Sequence, residues 1–355
     1  VTAYRIAFAL IVSACLGGSA LARPTLFDGP FVDLDRLNRS LHGRVDEYTH
    51  NHGRDNRICS KALGEKRDLY VYVPPGYDPE KRYPIVYWLH GFAQDEKTFL
   101  DLIETFDCMI WKGRFPKCVL VSADGSSKGR ASYFDVGTFY LNSPLGRYED
   151  YMVNDIWNFV VTRYSIRVER EAHVLAGGSM GGFGAYNLGF KHREQFGVLI
   201  GIMPALNIRY ADCHGRTDRN FDPNCMGFAT EYRPRDTIAN FAGGLIKVKQ
   251  QQVIAPVFGE GPDTIKKVSA ENPAEMLFTH DIKPGEFQMF AGYGSDDEFN
   301  FDAGVQSFAY LAKQRGIDVT TYEVKGGRHN RETGYKMMQP FADWVLPRLG
   351  KYAPD

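Results

Sequence analysis

In the stretch GGSMGGFG, residues 177–184, a single hydroxyl, Ser179, stands among five glycines. It follows the apolar run AHVLAG and precedes a segment that reads as helical from about Phe183. A serine in a sharp strand-to-helix turn projects its hydroxyl from the sheet edge, and glycines on either side relieve the crowding of so tight a bend. The chemistry this permits is nucleophilic attack on an electrophilic carbonyl, provided that a base removes the proton and an acid orients the base. The order Ser, Asp/Glu, His is met downstream. FQMFAGYGSDDEFNFD offers Asp296, Asp297 and Glu298, of which at least one is expected to serve as a helix cap. VKGGRH places His329 in a loop after an apolar strand. His280, the weak rival among nine histidines, precedes a strand instead of following one. The negative charge that develops on the attacked oxygen needs N–H donors. The Met180 N–H at the start of the helix is one, and the Phe92 N–H in HGFAQDE is the second, with Ala93 next to it. No Lys-Ser/Thr pair follows the glycines, so a phosphate-binding P-loop is excluded.

These side chains converge only if the right elements carry them. Short apolar runs at 68–73, 83–89, 118–123, 172–177, 196–203, 287–292 and 319–324 read as strands, buried on both faces from the second onward. Between them lie segments of helical period. Met152, Ile156, Phe159 and Val160 share one face, as do Val305, Phe308, Ala309 and Ala312 ahead of Gly316, placed to end that helix. Alternation of strand and helix predicts an α/β fold with a mostly parallel sheet. The polar stretch 207–284, with weak helical signals at 235–250 and 270–278, interrupts the alternation and is too long for an ordinary loop. It is expected to form a cap over the carboxyl edge of the sheet within one domain, 23–355.

A chain of 355 residues, 44% hydrophobic and 14% aromatic, can bury a large core, and a formal charge of -1 provides no basic footprint for nucleic acid. Residues 1–22 carry Arg5, an apolar stretch and Ala20-Leu21-Ala22, the layout of an export signal cleaved after Ala22. The expected location is therefore periplasmic or secreted. Val12-Ser13-Ala14-Cys15 offers the alternative of a lipoprotein anchored through Cys15. Beyond it stand Cys59, Cys108, Cys118, Cys213 and Cys225; Cys213 and Cys225 flank a polar loop that a disulfide would close. No C-x-x-C pair occurs, and His50 and His52 in THNH read as solvated, so neither metal nor cofactor is expected.

YWLHGF, GGSMGGFGAYNLGF, GSDDEF and GGRH, in this order, resemble the esterase D / feruloyl esterase family of α/β-hydrolases, which also contains S-formylglutathione hydrolases and mycolyltransferases. The resemblance spans roughly residues 65–350 and implies an α/β-hydrolase fold and a serine esterase. It implies Asp297, among the three carboxylates, as the catalytic acid, and Asn142-Ser143 as the family's N-S segment. Asn330-Arg331 after the histidine departs from the Asp-Trp or Asp-Phe of many feruloyl esterases, so the acyl or alcohol pocket is expected to differ. Tyr140 lies in the aromatic loop that also holds Tyr133, Phe134, Phe139, Tyr148 and Tyr151. His90, Asn142 and Tyr140 are the expected substrate-side residues, His90 chiefly as a support of its loop. The expected substrate is a small-molecule or polysaccharide-linked ester. The alternatives are acyl transfer to a sugar acceptor, as in mycolyltransferases, and a non-catalytic binding protein of the same fold.

Overall fold

The computed structural model describes residues 33–132, 135–241 and 245–354. The export signal, Cys15, Tyr133 and Phe134 lie outside the described residues. Eight strands form the central sheet: β1 (Arg44–Tyr48), β2 (Leu69–Val73), β3 (Ile85–Leu89), β4 (Val119–Ala123), β5 (His173–Gly178), β6 (Val198–Ile202), β7 (Gln288–Gly294) and β8 (Thr320–Val324). Their spatial order is β1-β2-β4-β3-β5-β6-β7-β8. β2 runs antiparallel to both β1 and β4, and every other pairing is parallel.

Strand side chains alternate between two cores, as the pleat requires. Ile85, Tyr87 and Leu89 face a core shared with Phe183, Tyr186 and Phe308, while Val86 and Trp88 face one shared with Ile103, Phe106 and Phe341. Helices α1 (Leu100–Trp111) and α4 (Arg331–Leu349) thus cover one face, α2 (Met180–Lys191) and α3 (Phe301–Gln314) the other. The segment 148–161 is helical as expected, with a π-helical centre at Tyr151–Ile156. Gly316, with φ +70°, follows α3 as its predicted stop. Three expectations are corrected. β1 is an additional strand whose polar sequence RVDEY hides it. β8 is an edge strand with four of its five residues exposed, so burial on both faces ends at β7. The weak helical signal at 235–250 is mostly a hairpin, Thr237–Phe241 with Ile246–Lys249, because β-branched residues flank a Gly-Gly pair there.

The rest of 207–284 comprises a second hairpin, Tyr210–Asp212 with Met226–Phe228, and short helices that include Thr264–Glu271 and Pro273–Thr279. Cys213 and Cys225 form the expected disulfide, and Cys59, Cys108 and Cys118 are free. Ile254, Val257, Phe258 and Leu277 belong to the same core as Phe183, which ties the insertion to the main body. Among the described residues no helix is long and apolar enough to cross a membrane.

Candidate active site

β5 delivers the chain into a left-handed backbone at Ser179, φ +54° and ψ -116°, and α2 begins at the next residue. A positive φ in a non-glycine residue costs on the order of 1–3 kcal/mol and persists only where its surroundings enforce it. Here the Ser179 N–H donates to the Ile202 carbonyl at 2.9 Å and the Ser179 carbonyl accepts from Phe183 N–H at 3.0 Å. The turn closes so tightly that a Cβ on Gly181 would lie 1.9 Å from the Leu89 carbonyl oxygen, so only glycine fits.

The ends of β7 and β8 are tied together before either presents a side chain. Ser295 N–H donates to Val324 O at 3.1 Å, Asp296 N–H to Gly327 O at 2.9 Å, and Gly326 N–H to Ser295 Oγ at 2.8 Å. From this joint the buried Asp297 carboxylate accepts the His329 Nδ1–H at 2.7 Å through Oδ2, while Oδ1 accepts Phe299 N–H at 2.9 Å. His329 Nε2 then faces Ser179 Oγ at 2.9 Å. Phe299 and Phe301 pack edge-on against the imidazole with centroids 4.9 and 5.3 Å away. Burial alone would lower the His329 pKa; the charge and hydrogen bond of Asp297, with the charge of Glu298, outweigh it and raise it.

Asp297 alone of the three candidate carboxylates meets the imidazole. Asp296 is exposed at the joint, and Glu298 Oε2 accepts the His329 backbone N–H at 2.8 Å while Oε1 pairs with Arg328 at 2.5 Å. None of the three caps α3, whose N-cap is Asn300. The cap expected of them is therefore corrected: Asp297 is spent on its own turn and the imidazole. His280 ends the helix Pro273–Thr279 and does not line the cavity that holds Ser179.

Phe92 and Met180 both line that cavity, and neither backbone N–H has an acceptor among the described residues. Their side chains converge on Gly137, where a Cβ would lie 2.5 Å from Phe92 Cδ2 and 2.7 Å from Met180 Sδ. A side chain at Gly137 would therefore push against both, a constraint that the sequence does not advertise. The loop itself is held by Gly91 N–H on Gln94 Oε1 at 2.8 Å and turns through Ala93 at φ +62°.

The structure does not bring the three expected substrate-side residues to the cavity. His90 is buried: its Nε2 accepts Gly125 N–H at 2.9 Å and its Nδ1 faces Gly91 O at 2.9 Å, so it braces the loop below Phe92. Tyr140 is wholly buried and donates to His90 O at 2.9 Å. Asn142 sits on a short hairpin outside the cavity, bonded to Asp150 at 3.0 Å. Of the aromatic loop, Tyr148 and Tyr151 are also core residues, and Phe139 alone among the described members reaches the cavity. Asn330 and Arg331 act at the rim: Asn330 caps α4 through Thr333 N–H at 3.0 Å, and Arg331 pairs with Asp101 of α1 at 2.8 Å.

The cavity measures about 2100 Å³ and lies between the 91–94 loop, the strand-to-helix elbow at Ser179, the insertion over 207–284, and the loops carrying Asp297 and His329. Phe139, Phe228, Phe241 and Phe299 give it apolar walls, and Arg209, Lys247 and Asp302 give it charged ones. A serine hydroxyl bonded to an imidazole that is itself bonded to a buried carboxylate, facing such a cavity, is the arrangement that acyl transfer calls for.

The fold and the family are met in other proteins. A ferulic acid esterase shares 19% identity, with 87% of this chain and 100% of that chain covered and a TM-score of 0.58. For an S-formylglutathione hydrolase from Agrobacterium tumefaciens the values are 16%, 87%, 97% and 0.60. For the ferulic acid esterase Fae1A from Anaeromyces mucronatus, solved with ferulic acid, they are 18%, 87%, 90% and 0.53. The sequence also matches the family described as "Putative esterase" over residues 60–344. With an α/β-hydrolase fold and that match across most of its length, the chain belongs to this esterase family and is an ester hydrolase.

Proposed function

We propose that the chain is an exported serine carboxylic-ester hydrolase with Ser179 as nucleophile, His329 as general base and acid, and Asp297 as the orienting acid. The observation that carries this reading is the unbroken hydrogen-bond series Ser179 Oγ, His329 Nε2, His329 Nδ1, Asp297 Oδ2 at the floor of the cavity. Ser179 Oγ attacks the ester carbonyl as its proton passes to His329 Nε2, and the resulting imidazolium is stabilised by Asp297. The Met180 and Phe92 N–H groups receive the oxyanion. Collapse expels the alcohol, protonated by His329, and leaves an acyl-Ser179 ester. Water, deprotonated by His329, then attacks that ester and releases the acid with Ser179 restored. Because Asp297 and Glu298 raise the His329 pKa, the rate should climb with pH as His329 loses its proton.

The substrate we propose is a carbohydrate-linked or other small acyl ester. The mixed aromatic and polar walls of a large cavity support it, as do the ferulic acid esterases among the similar structures. Export is supported by the signal-like residues 1–22 and by the Cys213–Cys225 disulfide, and a single domain over 23–355 by the shared core. The test is a panel of nitrophenyl acetate and butyrate, acetylated xylan and methyl ferulate, with and without an added sugar acceptor, beside Ser179→Ala. The wild type should hydrolyse at least one ester, and Ser179→Ala should lose about 10⁴- to 10⁶-fold in kcat. An organophosphonate should label Ser179 and leave the variant unlabelled. Full activity in Ser179→Ala would overturn the nucleophile, and faster transfer to sugar than to water would overturn hydrolysis.

A further inference from the structure

Asn300 ties the turn that carries Asp297 to the insertion. Its backbone is left-handed, with φ +58° and ψ +30°. Its N–H donates to the Asp297 carbonyl at 3.1 Å, which closes the turn directly behind the carboxylate that meets His329. The left-handed region is rare outside glycine, and asparagine is among the few side chains that enter it readily. A glycine would serve this backbone at least as well, so the side chain needs its own explanation. Asn300 Nδ2 donates to the carbonyls of Thr217 and Arg219, each at 3.0 Å, across 83 and 81 positions of sequence. An ionised aspartate of the same shape has no donor and could make neither bond.

Thr217 and Arg219 belong to the loop that the Cys213–Cys225 disulfide closes. The disulfide joins the two strands of the 210–228 hairpin just beyond the paired Asp212 and Met226, where Cys213 N–H also donates to Cys225 O at 2.9 Å. Both flanks of the 217–219 segment are held: Asp212 Oδ1 accepts Arg216 N–H at 2.9 Å, and the Tyr210 hydroxyl donates to Asn220 O at 2.8 Å. Phe221 packs on Tyr310 of α3 with ring centroids 5.6 Å apart. The 217–219 segment itself is exposed, so these bonds and the covalent closure hold it, not burial. A cross-link reduces the conformations open to the loop it closes, and so keeps the two carbonyls where Asn300 meets them.

We propose that Asn300 is a positioning residue, through which the disulfide-closed loop 213–225 holds the Asp297 turn in register with His329. The inference rests on Asp297 being the orienting acid proposed above. That acid must stay within hydrogen-bond reach of His329 Nδ1 while the imidazole takes up and returns a proton. It is borne on the turn between β7 and α3, and Asn300 is the last residue of that turn. With the disulfide open, the Thr217 and Arg219 carbonyls are free to drift, Asn300 loses its anchor, and Asp297 holds the imidazole less firmly. The activity is thereby made to depend on an oxidising environment, in which the Cys213–Cys225 bond persists.

Asn300→Gly keeps the left-handed backbone and removes the tether, and is read in the full purified chain. Its kcat on nitrophenyl acetate should fall about 5- to 20-fold, with KM within about twofold of the wild type. The acidic limb of its kcat/KM profile should move to lower pH by about 0.5–1, because a slackened Asp297 raises the His329 pKa less. Mere destabilisation would remove active molecules without moving that limb. Cys213→Ser combined with Cys225→Ser should show the same loss and the same shift, and the triple variant should lose little more than either, since both changes act on one link. If the double-serine variant fails to fold, the folded wild type treated with dithiothreitol takes its place. The dithiol is then oxidised to its cyclic disulfide as the Cys213–Cys225 bond opens to two thiols, which titration counts beyond the free Cys59, Cys108 and Cys118. An unmoved acidic limb in Asn300→Gly would overturn the proposal whatever its kcat, as would losses that multiply in the triple variant. Asp297→Asn tests the parent reading separately: it should lose about 10⁴-fold in kcat, and full activity in it would remove Asp297 from the mechanism.

Discussion

Asp302 stands next to Phe301, whose ring packs on His329, and its largely buried carboxylate lines the cavity. Burial first, and then the negative charges of Asp297 and Asp296, raise its pKa to about 6, against backbone hydrogen bonds at the start of α3 that act the other way. A folded-state pKa above the unfolded value means that the native protein binds the proton more tightly. Stability therefore falls as pH rises from about 4 to 6, and the destabilisation is fully present above that window. Asp302→Asn should remove it. The expected gain is on the order of 2–3 kcal/mol at pH 8, with a clearly smaller gain at pH 4.5, read from urea unfolding at the two pH values. An equal gain at both would show that packing, not ionisation, sets the effect. That a cavity-lining carboxylate is kept at such a cost fits a residue held for the site instead of for the fold.

Strands, helices and loops differ in how far the sequence betrays them, and the difference is physical. The elbow is legible because its constraints are local: β5, Ser179 and α2 are consecutive, and the close approach of Gly181 to β3 permits no side chain. His329 is legible because a loop after a parallel strand must emerge at the same edge. Asp297 is less so, since its neighbours differ from it only in which way a turn aims them, and the family resemblance makes the choice. β1 and the 237–249 hairpin escape because partner strands, not internal pattern, make them strands. Gly137 is illegible for the same reason at longer range, as nothing in FDVGTFY reveals that Phe92 and Met180 close over it. Its role is nevertheless testable. In Gly137→Ala the new methyl displaces both residues; Met180 can yield by rotating its thioether, whereas the Phe92 ring is rigid and takes its backbone with it. We expect kcat on nitrophenyl acetate to fall by about 10- to 100-fold, with KM changed far less and circular dichroism unaltered, since misplacing one oxyanion donor costs part of what deleting it would. A loss confined to KM would assign Gly137 to substrate binding.

At the scale of the molecule, the question is whether the insertion is a lid that moves on its own or part of one folding unit. Its length between β6 and β7 is plain in the sequence, but its attachment is not, because scattered apolar residues such as Ile254, Val257 and Met276 show their purpose only against the core they enter. Polar ties fix its ends as well. Asn207 donates to Ser307 of α3 at 3.0 Å and accepts from Asn272 at 3.0 Å, while Ala274 N–H donates to Leu206 O at 2.9 Å. The tip differs: Ala239, Phe241 and Val248 form a small cluster of their own over Phe299. Independent melting would require Ile254, Val257, Phe258, Val268, Met276 and Leu277 to leave the main core, exposing apolar surface on both sides at roughly 25 cal/mol per Å². Scanning calorimetry of the chain from residue 23 should therefore show one transition, in which loss of activity coincides with loss of tertiary signal. Cleavage at the exposed Leu245 tip under native conditions should leave that transition nearly unchanged, because the tip cluster contributes little to the common core. Two resolved transitions, with the body still folded after the first, would instead make the insertion a separable domain resting on the sheet edge.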